Sequence, residues 1–304
     1  MALYSDELAK TALARSEARE AIVADVATRY WFYPASAADA KTLIFIHGYR
    51  GNHHGLEAIA GALPDFNIVI PDLPGFGASA PFAGEHSVEA YVGWLNALVD
   101  HVVTEQRPNE KPVVVGHSFG SIISAAFAVQ SEAISHLVLI NPVSAPALEG
   151  PKATLTQLVK LMFWLSGALP LKAGLGMLKS WPMVRGMSIV MTKSHQRALR
   201  RWVHAQHDAN FNDFANRRVA IEGYNASIAH NVGEYARNFK VPTTLIIGAK
   251  DDITSVKQQE AMAATIPVDW TLTNLQGVGH LTHYEKPAQV AMAIRVDLGD
   301  EVDE

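Results

Sequence analysis

The sequence predicts an α/β fold: a parallel sheet with helices on both faces, interrupted by a helical insertion. Three observations carry this. Short apolar runs alternate with helical patterns between residues 42 and 141. The alternation stops after Pro142 and resumes at Val241. Residues 143–238 between them hold no clear strand, but Trp and Met recur there at helical spacing, as in Met162, Trp164, Met177, Trp181, Met183, Met187, Met191 and Trp202. Strands that alternate with helices pair in parallel, with the helices covering both faces.

Taken in order, residues 3–24 are rich in Leu and Ala with charges interspersed, and predict an amphipathic helix. The aromatic run of residues 27–33 predicts a strand stopped by Pro34. Buried strands are expected at Thr42–His47, Asn67–Pro71, Pro112–Gly116 and Leu137–Asn141, with helices at 54–63, 87–106 and 119–131. After the insertion come a strand at Val241–Gly248, a helix at 255–265, a strand at Asp269–Asn274 and a final helix from Pro287. The expected organisation is an N-terminal helix in 1–26, a core from 27–142 and 239–304, and a helical cap in 143–238.

Composition removes several classes of function. The chain has 304 residues and 49% hydrophobic content, enough for one large domain with an insertion. Charged residues are 18% and the net charge is −5, with no basic stripe, so no nucleic-acid partner is expected. There is no cysteine, which removes disulfides, thiolate metal sites and a cysteine nucleophile together. The first residues lack a basic stretch and an apolar core, so no secretory signal is expected. The most lipophilic window, Leu158 to Leu171, contains Lys160 and Pro170 and is too short to span a bilayer. The expected setting is therefore cytoplasmic, with no membrane partner. The last eight residues carry five acids and read as a solvated tail.

The strongest local signal is Gly116-His117-Ser118-Phe119-Gly120. It follows an apolar strand pattern and precedes a run of small and apolar residues that predicts a helix. In that context a sharp turn lifts one serine out of the sheet and onto a helix N-terminus. The helix end offers N–H groups to a developing negative charge.

A serine hydroxyl needs a base to take its proton and an acid to orient that base. Functional loops follow strand ends in a doubly wound sheet. Asp251 and Asp252 follow the strand ending at Gly248, and His280 follows the next strand through Leu275-Gln276-Gly277-Val278-Gly279. His280 is the expected base, with His283 as its rival. Asp251, nearer the strand end, is favoured as the acid over Asp252, which is expected to cap the following turn. The two oxyanion donors are expected to be the amides of Phe119 and of Tyr49, in the loop His47-Gly48-Tyr49-Arg50-Gly51. His47 is expected to bond backbone and hold that loop.

These residues together resemble the α/β-hydrolase superfamily, as serine hydrolases with a helical cap of esterase-like type. The resemblance spans about residues 27–296. It rests on His47-Gly48, Asp72-Leu73-Pro74-Gly75-Phe76-Gly77-Ala78-Ser79, Gly116-His117-Ser118-Phe119-Gly120, Gly248-Ala249-Lys250-Asp251, Gly279-His280 and Glu285-Lys286-Pro287. It implies the α/β-hydrolase fold, an eight-stranded, mostly parallel sheet under a cap, with Ser118, Asp251 and His280 as triad and no cofactor or metal. The 72–79 segment is read as scaffold because it lacks the lysine of a phosphate-binding loop.

A cap short of acids predicts an apolar pocket of moderate size. Met162, Phe163, Trp164 and Trp202 are its candidate lining residues, with Arg50 and His53 as polar contacts. The expected function is cleavage of a small-molecule carboxylic ester with an apolar part through an acyl-enzyme on Ser118, by a monomer or homodimer. The alternatives are a carbon–carbon bond hydrolase and a low-turnover ligand-binding protein on the same fold.

Overall fold

Residues 2–37, 39–106, 110–146 and 153–299 are described by a computed structural model. One sheet of eight strands runs through it: β1 (Glu17–Val23), β2 (Val26–Tyr33), β3 (Thr42–Ile46), β4 (Asn67–Pro71), β5 (Val113–His117), β6 (His136–Ile140), β7 (Thr243–Gly248) and β8 (Trp270–Leu275). The spatial order is β1-β2-β4-β3-β5-β6-β7-β8. The β1–β2 and β2–β4 pairs are antiparallel; every other pair is parallel.

The central strands are apolar throughout because both faces are covered. Along β3, Leu43 and Phe45 face one side and Ile44 and Ile46 the other. Helices α2 (Glu57–Gly61) and α12 (Pro287–Asp297) cover the first side, and α1 (Ala2–Ala14) lies over α2. Helices α3 (Val88–Gln106), α4 (Phe119–Gln130) and α10 (Val256–Ala263) cover the second.

The expected helix over 3–24 is half right. It ends at Ala14, and residues 17–23 form the edge strand β1, paired residue for residue with β2. The N-terminal segment 1–26 is thus a helix and a strand, not a helix alone. Ala24 and Asp25 take positive φ values of 47° and 63°, the two-residue turn that suits the twist of a hairpin. Pairing with β2 overrides the helix propensity of Ala, Glu and Arg. The edge position accommodates the charges, and Arg19 lies over the Phe32 ring at 4.2 Å.

Between β6 and β7 the described residues form α5 (Ala153–Ala168), α6 (Leu171–Leu178), α7 (Trp181–Met191), α8 (Arg197–Asn210) and α9 (Arg217–Ala229), with short 3-10 turns at Val232–Glu234 and Ala236–Asn238. The insertion is hydrogen-bonded to the 72–79 segment: Gly77 N donates to Asp213 O at 2.9 Å and Ala215 N to Gly75 O at 2.9 Å. That segment is scaffold, as expected, since Asp72 accepts from His53 N and Ala78 N at 2.8 Å each. Helix α1 bridges both parts, packing on α2 and on α8. A four-residue helix, α11 (Thr282–Glu285), precedes α12.

Candidate functional site

Ser118 sits where β5 turns into α4, with φ 54° and ψ −117°. A non-glycine residue holds such a conformation only when its surroundings fix it. Here the Ser118 N–H donates to Ile140 O at 3.1 Å, and both flanking glycines are crowded. A Cβ on Gly120 would lie 2.1 Å from Ile46 O, and one on Gly116 would lie 2.5 Å from Gly120 O. Helix α4 therefore starts hard against β3, and the Ser118 side chain projects from its N-terminus.

His280 Nε2 lies 2.7 Å from Ser118 Oγ, and His280 Nδ1 lies 2.8 Å from Asp251 Oδ2. With the proton on Nδ1, donated to Asp251, Nε2 is free to accept from the serine hydroxyl. His280 and Asp251 are both buried. Asp251 is held by more than the histidine: Oδ1 accepts from Ile253 N at 2.8 Å and Oδ2 from Asn141 Nδ2 at 2.9 Å.

Asn141 is a residue the sequence reading missed. It follows β6 with φ 45°, donates also to Gly279 O at 3.2 Å, and accepts from Thr282 Oγ1. One amide thus ties together the loops that carry the carboxylate and the imidazole. Asn before Pro142 at a strand end was the available signal, since Asn tolerates positive φ.

The rival residues have other partners. Asp252 pairs with Lys193 of the insertion. The His283 ring lies tilted against His117, with centroids 4.0 Å apart, and burial depresses its pKa well below the usual imidazole range. Burial also lowers the pKa of His117 to about 3, with the neighbouring His280 adding to the effect. His117 and His283 are therefore neutral beside His280.

The loop after β3 approaches the serine closely: a Cβ on Gly48 would lie 3.1 Å from Ser118 Cβ. His47 holds this loop as expected, Nδ1 donating to Gly48 O at 2.8 Å and Nε2 accepting from Leu73 N at 2.9 Å. Tyr49 lines the same cavity as Ser118 and His280, and Phe119 is the first residue of α4.

That cavity is small, about 70 Å³, rather than moderate. The insertion contributes Met191, Gln206, His207, Asn210 and Phe211 to its wall. Most of the expected lining residues are elsewhere. Phe163 is buried in the core, stacked on Tyr224 at 4.1 Å, and Met162 packs against the same cluster. Trp164 points outward. Trp202 packs on Tyr284 and donates from Nε1 to Asp6 Oδ1 of α1 at 3.0 Å. His53 is buried outside the cavity, bonded to Asp72 at 2.9 Å and stacked on Trp31. Arg50 lines the cavity, but two of its three guanidinium nitrogens bond the insertion. Nε donates to Phe211 O at 2.9 Å, and one terminal nitrogen donates to Leu178 O at 3.0 Å and to Asn212 Oδ1. The physical reason is common to these errors. Helical spacing shows that a side chain alternates between faces, but not which face meets the serine.

The sheet order, the insertion after β6 and the serine on its strand–helix turn define an α/β hydrolase. The chain belongs to the family whose model is described as "Serine aminopeptidase, S33", which matches residues 37–287. Lipase LipV of Mycobacterium tuberculosis is 34% identical over 111 residues, which are 36% of this chain and 40% of that lipase. The chain thus spans less than half the length of that relative. Lipase 3 of a Moraxella species is 24% identical over 250 residues, 81% of this chain and 73% of that one. Among solved structures, a thermophilic esterase from Thermogutta terrifontis superposes with a TM-score of 0.71 at 19% identity, covering 93% of this chain and 98% of that one. That likeness is one of fold. Among the described residues no helix is long and apolar enough to cross a membrane.

Proposed function

We propose that the chain hydrolyses carboxylic esters through an acyl-enzyme on Ser118. The observation that carries this is the unbroken relay from Ser118 Oγ through His280 to Asp251, at 2.7 and 2.8 Å. In this reading His280 Nε2 takes the hydroxyl proton as Oγ attacks the ester carbonyl. The carbonyl oxygen becomes an oxyanion held by the amides of Tyr49 and Phe119. Collapse expels the alcohol, which receives the proton from His280. Water, deprotonated by the same nitrogen, then attacks the acyl-serine and releases the acid. Asp251 stabilises the imidazolium without taking its proton. Relatives named as lipases and an esterase of the same fold support the ester over other acyl groups.

The carbon–carbon hydrolase reading needs basic residues facing a carboxylate. Arg217 donates instead to Ser166 O and Leu169 O, and Arg218 to the carbonyls of Phe82, Ala83 and Gly84. Neither Arg217 nor Arg218, nor Arg200 or Arg201, lines the cavity. The binding-protein reading leaves the relay without a purpose.

A fluorophosphonate probe tests the proposal. Wild type is expected to form a covalent adduct at Ser118 and hydrolyse p-nitrophenyl acetate, and Ser118→Ala to do neither. A folded wild type that stays unlabelled overturns it.

A further inference from the structure

The outward side of the inserted helices carries an apolar surface that stays exposed among the described residues. On α5, Leu158, Leu161, Trp164 and Leu165 recur at spacings of three and four, while Phe163 and Ser166 are buried. Trp181 and Ile189 on α7 are exposed as well. Nine of the fifteen large hydrophobic side chains exposed among the described residues lie between positions 158 and 190. Leu158, Trp164, Leu171 and Trp181 keep 60–66% of their surface exposed. A patch of this extent marks an interaction site.

Charge identifies the occupant. From residue 150 to 207 the sequence holds nine Lys and Arg and no Asp or Glu. The rest of the chain holds 16 basic and 30 acidic residues. A protein of net charge −5 has therefore segregated positive charge onto the segment that carries its exposed apolar surface. Arg185 and Lys193 pair with Asp208 and Asp252, whereas Lys160 and Lys172 stand exposed on the apolar helices.

We propose that this face docks on an anionic lipid surface, its Leu and Trp side chains entering the headgroup layer and its lysines meeting the lipid phosphates. Exposed Trp with flanking Lys suits the boundary between water and lipid. A second copy of the chain is a poor occupant, because pairing this face with itself brings like charges together. That no helix among the described residues is long and apolar enough to span a membrane does not bear on this, although no membrane partner was expected from the sequence. Lying in an interface needs an amphipathic face, not a span.

The proposal does not depend on ester hydrolysis, so the test uses the Ser118→Ala protein. It is floated with phosphatidylcholine vesicles, with and without phosphatidylglycerol. Binding to the anionic vesicles is expected to be tighter by roughly tenfold or more, and to weaken with added salt. Lys160→Glu with Lys172→Glu is expected to abolish the preference for anionic vesicles. Leu161→Ser with Trp164→Ser is expected to reduce binding to both kinds. All four positions are exposed, so thermal melting should be unchanged and report intact folding. Equal binding to both vesicles, or variants that bind like the parent, overturns the proposal. So does a dimer in solution that Trp164→Ser dissociates while vesicles go unbound; the face would then be a contact between copies.

Discussion

Asp251 and Asp252 are neighbours in the chain with unlike surroundings. Asp251 is buried and accepts from His280, Asn141 and Ile253, while Asp252 reaches out to Lys193. Asp251→Asn is expected to lower kcat roughly ten-thousand-fold, because the amide favours the wrong imidazole tautomer. Asp252→Asn should change kcat little; the reverse order in steady-state kinetics would move the acid role. Ser118→Ala and His280→Ala should each remove on the order of a million-fold in kcat, and the double variant little more. Additive losses would mean that the two side chains do not act as a unit.

At the scale of elements, two contacts decide how the parts are fastened. Gly61, the last residue of α2, lets α1 lie directly on it: a Cβ there would sit 1.9 Å from Leu8 O. Gly61→Ala is expected to lift α1 from the core and cost at least about 1 kcal/mol. Faster tryptic cleavage at Arg15 would report it, since Arg15 now donates to the carbonyls of Tyr33, Pro34, Ala60 and Leu63. An unchanged cleavage rate would mean that α1 is anchored elsewhere. Arg50 fastens the insertion to the loop after β3, at φ 59° and with its ring-stacked guanidinium 4.6 Å from the Phe211 centroid. Arg50→Ala removes the donor to the carbonyls of Phe211 and Leu178 and to the Asn212 amide oxygen. It is expected to lower stability by about 3 kcal/mol in urea titration.

For the whole molecule, acid sensitivity follows from buried neutral histidines. Burial lowers the pKa of His117 to about 3 and of His207 to about 4. In the unfolded chain each titrates near about 6.5. The unfolded state therefore binds more protons below that value. The stability these rings contribute is complete above about pH 6.5 and falls as the pH drops toward their folded values. At pH 5 the loss is on the order of 2 kcal/mol for each ring. The urea midpoint should thus fall between pH 7.5 and pH 5. A level midpoint would show that the rings protonate within the folded state.

The alternation of apolar runs made β3 to β7 and their helices legible, because a strand covered on both faces must be apolar throughout. Ser118, Asp251 and His280 were legible for a related reason: each follows a strand end, and strand ends share one edge of a parallel sheet. Three things were decided only by the tertiary structure. Residues 17–23 became a strand because β2 offered a paired edge, which local propensity does not register. Asn141 became the link between two active loops because β6 ends between them. The cavity wall came from Met191, Gln206, His207, Asn210 and Phe211 rather than from the expected Trp and Met residues. A helix shows in its sequence which residues share a face, but the direction of that face is set by what the helix packs against.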